Sequence, residues 1–150
     1  RLPSFLFEGD MMQRILGLDV GNKTIGVAVN DPLGLTAQGV TVIRRSHLAA
    51  DLAKLQEIID RYQASEVAIG LPLHMSGSKG PQALVAEEIG QALQERGISV
   101  FYVDERLTSV AAERVLITGD VRRQKRKQVI DMIAAQLILE VHLARRQSSH

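Results

Sequence analysis

A chain of 150 residues, 45% hydrophobic and 23% charged, is long enough to bury one sizeable core and is expected to be a single domain. It has no cysteine, which excludes a disulfide framework, a thiolate nucleophile and a zinc–thiolate site, and which suits a reducing cytoplasm. The longest uncharged runs, Pro32–Ile43 and Val67–Ser78, have 12 residues each, too few for a membrane-spanning helix. The net charge is only +1, yet residues 119–150 hold seven Lys/Arg against three Asp/Glu, a polarity compatible with a polyanion meeting one face.

Residues 1–12 show no clear periodicity and end in Met11 and Met12. They read as an upstream extension or a cloning remnant, with the folded domain expected over residues 13–147. From Ile15 the chain runs I-L-G-L-D-V-G-N-K-T-I-G-V-A-V. Two apolar runs joined by Gly21, Asn22, Lys23 and Thr24 predict a β-hairpin. Asp19 sits inside the first run. A carboxylate there is either a turn-forming group bonded to its own backbone or a buried charge that needs a partner such as a metal ion.

Asp31–Gly34 reads as a turn, and Thr36–Ile43 as a third strand rich in β-branched residues. Ser46 is a candidate cap for a helix over residues 48–62, whose apolar positions recur at spacings of three and four. Val67–Leu71 has the pattern of a strand buried on both faces. After the loop His74–Pro81, Pro81 opens a second helix, with Leu84, Val85, Ile89, Ala92 and Leu93 on one side, and Gly97 stops it. Ile98–Val103 is the fifth strand. Thr108 or Ser109 caps a shorter helix ended by Gly119. A basic loop, Asp120–Lys127, then leads into a long final helix from about Gln128 to Arg145.

The order β-β-β-α-β-α-β-α-α is an antiparallel meander followed by two alternating units. Right-handed crossovers make strands 66–71 and 98–103 parallel to their neighbours. If both run parallel to strand 14–20, their carboxyl ends share one edge, where open α/β sheets place their chemistry. Asp19 and the pair Asp104/Glu105 lie at such ends. In the final helix Asp131 shares a face with Ala134, Ala135 and Ile138, so it points inward; the ordinary alternative is an acid favoured by a helix start.

Three converging carboxylates require a protonated member or a divalent cation. Oxygen ligands without cysteine favour Mg²⁺ or Mn²⁺ over zinc. Such sites can hold two ions about 4 Å apart that clamp a phosphodiester. The run Arg122, Arg123, Lys125, Arg126 and Lys127 is either a solvated charged loop or, beside an acidic metal site, a contact for a nucleic-acid backbone.

Four ordered motifs, G-L-D-V-G-N-K-T-I-G-V-A-V, G-L-P-L, V-D-E-R-L-T-S and D-M-I-A-A-Q-L-I-L, resemble the YqgF/RuvX family of Holliday-junction-resolvase-like nucleases. The resemblance covers about Arg14 to Leu143. It implies an α/β, RNase H-like fold with a five-stranded mixed sheet and helices on both faces. It also implies a metal-dependent nuclease whose acids match Asp19, Asp104 or Glu105, and Asp131. The family is associated with maturing the 5′ end of pre-16S rRNA, and some members with resolving four-way DNA junctions. Within the acidic pair Glu105 is favoured, although strand alternation leaves the choice with Asp104 open. Thr24 stands where the family usually has Arg.

On this reading Lys23 and Arg106 steady the scissile phosphate, Arg106 having the alternative role of ion-pair partner to its acidic neighbours. Lys79 lies in the Gly77–Gly80 loop ahead of a helix N-terminus, a natural anion seat or else a surface loop. The expected partner is structured RNA or branched DNA, bound by a monomer or homodimer without a membrane. Two rivals remain. A D-x-G hairpin also cradles phosphate in actin-like and sugar-kinase ATPases, which need two lobes. A non-catalytic nucleic-acid-binding module with the same fold is the other.

Overall fold

In the computed structural model, which describes residues 13–109 and 123–148, the run Ile15–Val20 forms β1 and is buried along its whole length. Total burial is what a strand experiences when helices cover both sides of its sheet. The chain reverses at Gly21, whose N–H donates to the Thr24 carbonyl at 2.9 Å, and returns as β2, Thr24–Asn30. The turn after β2 is closed by Asp31, whose Oδ1 accepts from the N–H groups of Leu35 (2.6 Å) and Thr36 (3.0 Å). β3 follows at Ala37–Arg44.

Helix α1, Leu48–Tyr62, is capped by His47, whose Nδ1 accepts from the Ala50 N–H. The expected cap, Ser46, stands one residue ahead of the cap position, and its main-chain N–H donates to Asp51 at 3.0 Å. β4 is Glu66–Leu71. Helix α2, Pro81–Glu95, opens on Pro81, and Gly97 ends it at φ +87°, a conformation that favours glycine. β5 is Ser99–Asp104, followed by a 3₁₀ turn, Glu105–Leu107. The helix expected between Thr108 and Gly119 lies outside the described residues beyond Ser109. The last described element is α3, Arg123–Ser148.

The sheet order is β3-β2-β1-β4-β5. β1 pairs antiparallel with β2, and β2 with β3, while β1–β4 and β4–β5 are parallel. The three parallel strands therefore end at one edge, as the crossovers required. The register sets Asp19 opposite Gly26.

The two faces of the sheet differ sharply in side-chain size. One presents Leu16, Leu18, Val20, Ile25, Val27, Val29, Val67 and Ile69 to Leu52, Leu55 and Ile59 of α1 and Ala86, Ile89 and Leu93 of α2. Each fully buried aliphatic side chain there contributes roughly 1.5–3 kcal/mol. On α2 the buried stripe is Ala83, Ala86, Ile89, Gly90 and Leu93, whereas Leu84 is exposed. Tyr102 crowds against Gly90, where a Cβ would meet its hydroxyl at 2.1 Å, so the face carrying Gly90, and not Leu84, is the one turned to the sheet.

The other face is nearly bare, and α3 lies on it. Ala135, Leu139 and Leu143 pack against Ile15, Ala28 and Ala37, and Ala134 and Ile138 against Ala68 and Val103. A Cβ at Gly17 would stand 2.7 Å from the Ala135 carbonyl oxygen, and one at Gly26 only 2.1 Å from that of Asp131. Those approaches are possible only over glycine. Toward its C-terminal end α3 is fastened by a buried acid at the start of β4. Glu66 Oε2 lies 2.5 Å from His142 Nε2, and Oε1 pairs with Arg146. Burial alone would raise the Glu66 carboxyl, but the bonds from Arg146 and His142 outweigh it and hold it below the usual value.

Candidate active site

Strand alternation decides which way each acid points. Ile15 and Gly17 face α3, so Asp19, two residues further on, faces it too. It is 8% exposed. At the end of β5, Val103 packs against Ala134 and Ile138 of α3, which gives Glu105 the same orientation. Its Oε1 lies against Gly70 of β4, where a Cβ would meet it at 2.8 Å. Asp131 arrives from α3, its backbone resting on Gly26, the partner of Asp19 in the sheet. Its Oδ2 accepts from the Thr24 hydroxyl at 2.5 Å.

All three carboxylates line one pocket of ≈ 420 Å³ at the carboxyl edge of the sheet, together with Gly21, Asn22, Lys23, Thr24, Pro72 and Gln82. The exposed Lys23 sets a cation on its rim. Among the described residues no three Asp, Glu, His or Cys side chains stand close enough to ligate a common ion. The acids thus share a cavity without closing on a point.

Asp104 does not join them. Its alternation puts it with Val100 and Tyr102, which pack on the α1/α2 face, and its carboxylate is taken up by Arg106. Oδ1 accepts from the Arg106 N–H at 2.9 Å, and Oδ2 from Nη2 at 2.6 Å. These bonds hold the Asp104 carboxyl below its usual range. Asp104 caps the 3₁₀ turn that swings Glu105 into the pocket, and Arg106 is its ion-pair partner. Arg106 also reaches the Met75 carbonyl at 3.3 Å, tying the two loops together. Lys79 pairs with Glu87 at 2.7 Å and lies outside the pocket lining.

The basic run is not the loop expected. Arg122 lies outside the described residues, and Arg123, Lys125, Arg126 and Lys127 fall on the first turns of α3. Straight-chain Gln, Lys and Arg with no Gly or Pro among them are good helix formers, so the helix begins five residues earlier than the apolar pattern suggested.

Three contributors were not read from the sequence. Thr24 reads as a turn residue standing where Arg is usual, with nothing to signal its bond to Asp131. Gln82 carried no motif. Asp51 carries no motif, yet its spacing to Leu55 and Ile58 puts it on the buried side of α1, where it is 0% exposed and pairs with Arg45.

Comparison with known proteins accords with this arrangement. The family model described as RuvX, Holliday junction resolvase, matches residues 13–145. A protein of Moorella thermoacetica provisionally named pre-16S rRNA nuclease is 56% identical over 133 residues, covering 88% of this chain and 95% of its own. One of the same name from Heliobacterium modesticaldum is 51% identical over 143 residues, 91% and 96% of the two chains. Among solved structures, Thermus thermophilus RuvC in complex with a Holliday junction superposes with a TM-score of 0.58 at 17% identity, covering 92% of this chain and 98% of that one. Fowlpox virus resolvase with junction DNA gives 0.50 at 13%, covering 87% and 99%. At those identities the likeness concerns the fold alone, and it is the resolvase fold expected.

Proposed function

The chain belongs to the RuvX family, and on that footing we propose that it is a metal-dependent nuclease that hydrolyses phosphodiester bonds in precursor 16S rRNA, trimming its 5′ end. The observation that carries the reading is the meeting of Asp19, Glu105 and Asp131, from three separate elements, around one pocket edged by Lys23. The names carried by relatives at about half identity supply the substrate.

The donor set fits a hard cation. It is entirely oxygen, and the chain has no cysteine, so Mg²⁺ or Mn²⁺ suits it better than zinc. Because the three acids do not close on one point among the described residues, Asp19 and Asp131 would hold one ion and Glu105 would share a second. When bound, it supplies neutralising charge at the phosphodiester and a lowered pKa for water.

The remaining work falls to the protein. The Lys23 ammonium meets the negative charge of the incoming phosphate. The Thr24 hydroxyl fixes one oxygen of Asp131 and so sets the plane of that carboxylate. Asp104, held by Arg106, keeps Glu105 turned toward the pocket. Arg123, Lys125, Arg126 and Lys127, on the first turns of α3, are the cations offered to the nucleic-acid backbone. Such an enzyme acts in the cytoplasm, and none of the described helices is long and apolar enough to cross a membrane.

Replacing one acid separates chemistry from binding. Asp19→Asn is expected to abolish Mn²⁺-dependent cleavage of precursor 16S rRNA while leaving affinity for it intact or higher. Unimpaired cleavage would remove the reading. The family's description also names the Holliday junction, so a synthetic four-way junction belongs in the same assay. Cutting of the junction and not of the RNA would move the substrate from ribosomal precursor to branched DNA.

A further inference from the structure

The turn at residues 21–24 supplies four of the pocket's walls, and its Gly21 to Thr24 backbone bond is supplemented by Arg45, just past β3, which touches it twice. The Arg45 main-chain N–H donates to the Lys23 carbonyl at 2.8 Å, and Nη1 donates to the Gly21 carbonyl at 2.9 Å. The guanidinium is oriented from behind: Nε donates to Asp51 Oδ2 at 3.0 Å, and the other oxygen of Asp51 accepts from the Ser46 N–H at 3.0 Å. The Arg45 and Asp51 side chains are 12% and 1% exposed.

Stability alone is a poor account of such a pair. Taking both charges out of water costs as much as their attraction returns, and apolar residues of similar volume commonly do as well or better. What a buried guanidinium supplies that they do not is direction, because its planar fork presents donors at fixed angles. Here one arm of the fork grips Asp51 and another a carbonyl of the turn that carries Lys23 and Thr24.

We propose that Arg45, oriented by Asp51, is a positioning residue for the active site: it fixes the 21–24 turn, and with it the Lys23 ammonium and the Thr24–Asp131 hydrogen bond. The proposal rests on the nuclease reading for its consequence but not for its geometry. A brace α1 builds behind the pocket would thereby govern turnover without touching substrate.

Two variants test it. Arg45→Met/Asp51→Leu replaces the pair by apolar residues and preserves packing; Arg45→Lys keeps the charge and removes the fork. Amide hydrogen exchange on the protein alone is expected to quicken at least about tenfold at residues 21–24 in both variants, with the β1 and β4 amides unchanged. In single-turnover cleavage of precursor 16S rRNA with Mn²⁺, the rate is expected to fall about 30–100-fold, the scale of a small misplacement of reacting groups. RNA affinity and Tm should stay near those of the unmodified protein. Arg45→Lys alone carries the test if the double variant does not fold. Unchanged exchange at the turn, or full turnover with the turn loosened, would overturn the proposal, as would a loss explained entirely by a lowered Tm. Failure of the unmodified protein to cut any nucleic acid would defeat the nuclease reading instead, and the exchange result would still judge the brace.

Discussion

Thr24 contributes a single hydroxyl to the site, and that hydroxyl donates to a carboxylate expected to carry catalysis. A hydrogen bond to a charged group is worth about 1.5–3 kcal/mol. Thr24→Val is therefore expected to slow single-turnover cleavage at least about tenfold, with Thr24→Ser recovering most of the loss. At the opposite end of the sheet, Glu66 makes an acid-side prediction. Its folded pKa is lowered, so its contribution is complete above the unfolded value of about 4.3 and is lost as pH falls through the folded one. Glu66→Gln should cost about 3 kcal/mol at pH 7, the scale for breaking a buried pair. Urea unfolding below about pH 4.3 should then show a shallower decline than the unmodified protein. Single residues were legible where they contradicted their surroundings. Asp19 inside an apolar run and Asp131 beside alanines both announced themselves, and both line the pocket. The choice between Asp104 and Glu105 was not legible, because alternation along β5 has a phase that only the packing of Val103 under α3 supplies.

Among elements, α3 is the one whose placement the site depends on, and glycine is what admits it. Gly26→Ala would put a methyl within 2.1 Å of the Asp131 carbonyl oxygen. Overpacking of that kind typically costs about 1–3 kcal/mol, and here it also pushes Asp131 away from Asp19. Calorimetry and cleavage measured together should show both losses; a variant as stable and as active as the parent would mean the helix is free to shift. The basic turns at the start of α3 make a separate prediction. Neutralising Arg122, Arg123, Lys125, Arg126 and Lys127 should weaken RNA binding uniformly across sequences, and the salt dependence should flatten by roughly 0.7 per lost contact with single-stranded RNA. An unmoved slope would place the contact elsewhere. The elements themselves read well from the sequence. Strands β1 to β5 and helices α1 and α2 follow from apolar period and from Pro81 and Gly97. Helix starts read worst: Ser46 lost the cap to His47, and the first turns of α3 hid inside a charged run that carries no hydrophobic period.

At the scale of the whole molecule, the topology explains why acids 112 residues apart, Asp19 and Asp131, meet at all. Parallel pairing of β1, β4 and β5 lines up their carboxyl ends, and α3 crosses that edge on the bare face of the sheet. This much was foreseeable from the order of elements. The pocket's other walls were not, since Gln82 and Pro72 reach it only through the way α2 and its loop settle. That Asp19, Glu105 and Asp131 share a single cavity also frames the substrate question. Trimming one RNA strand needs a single site, whereas symmetric resolution of a junction needs two facing opposed strands, hence a two-fold dimer. Sedimentation in the presence of each nucleic acid distinguishes these, and a monomer on precursor rRNA is expected.

The helix resting on the glycine floor is made after every strand it covers. Translation delivers the amino end first, so the segment bearing Asp19 and Glu105 leaves the ribosome before the residue at 131. A nascent chain thus carries an incomplete set of acids until α3 has folded onto the sheet. The acidic set is complete only once α3 has emerged and settled on the sheet, a consequence of the order of elements along the chain.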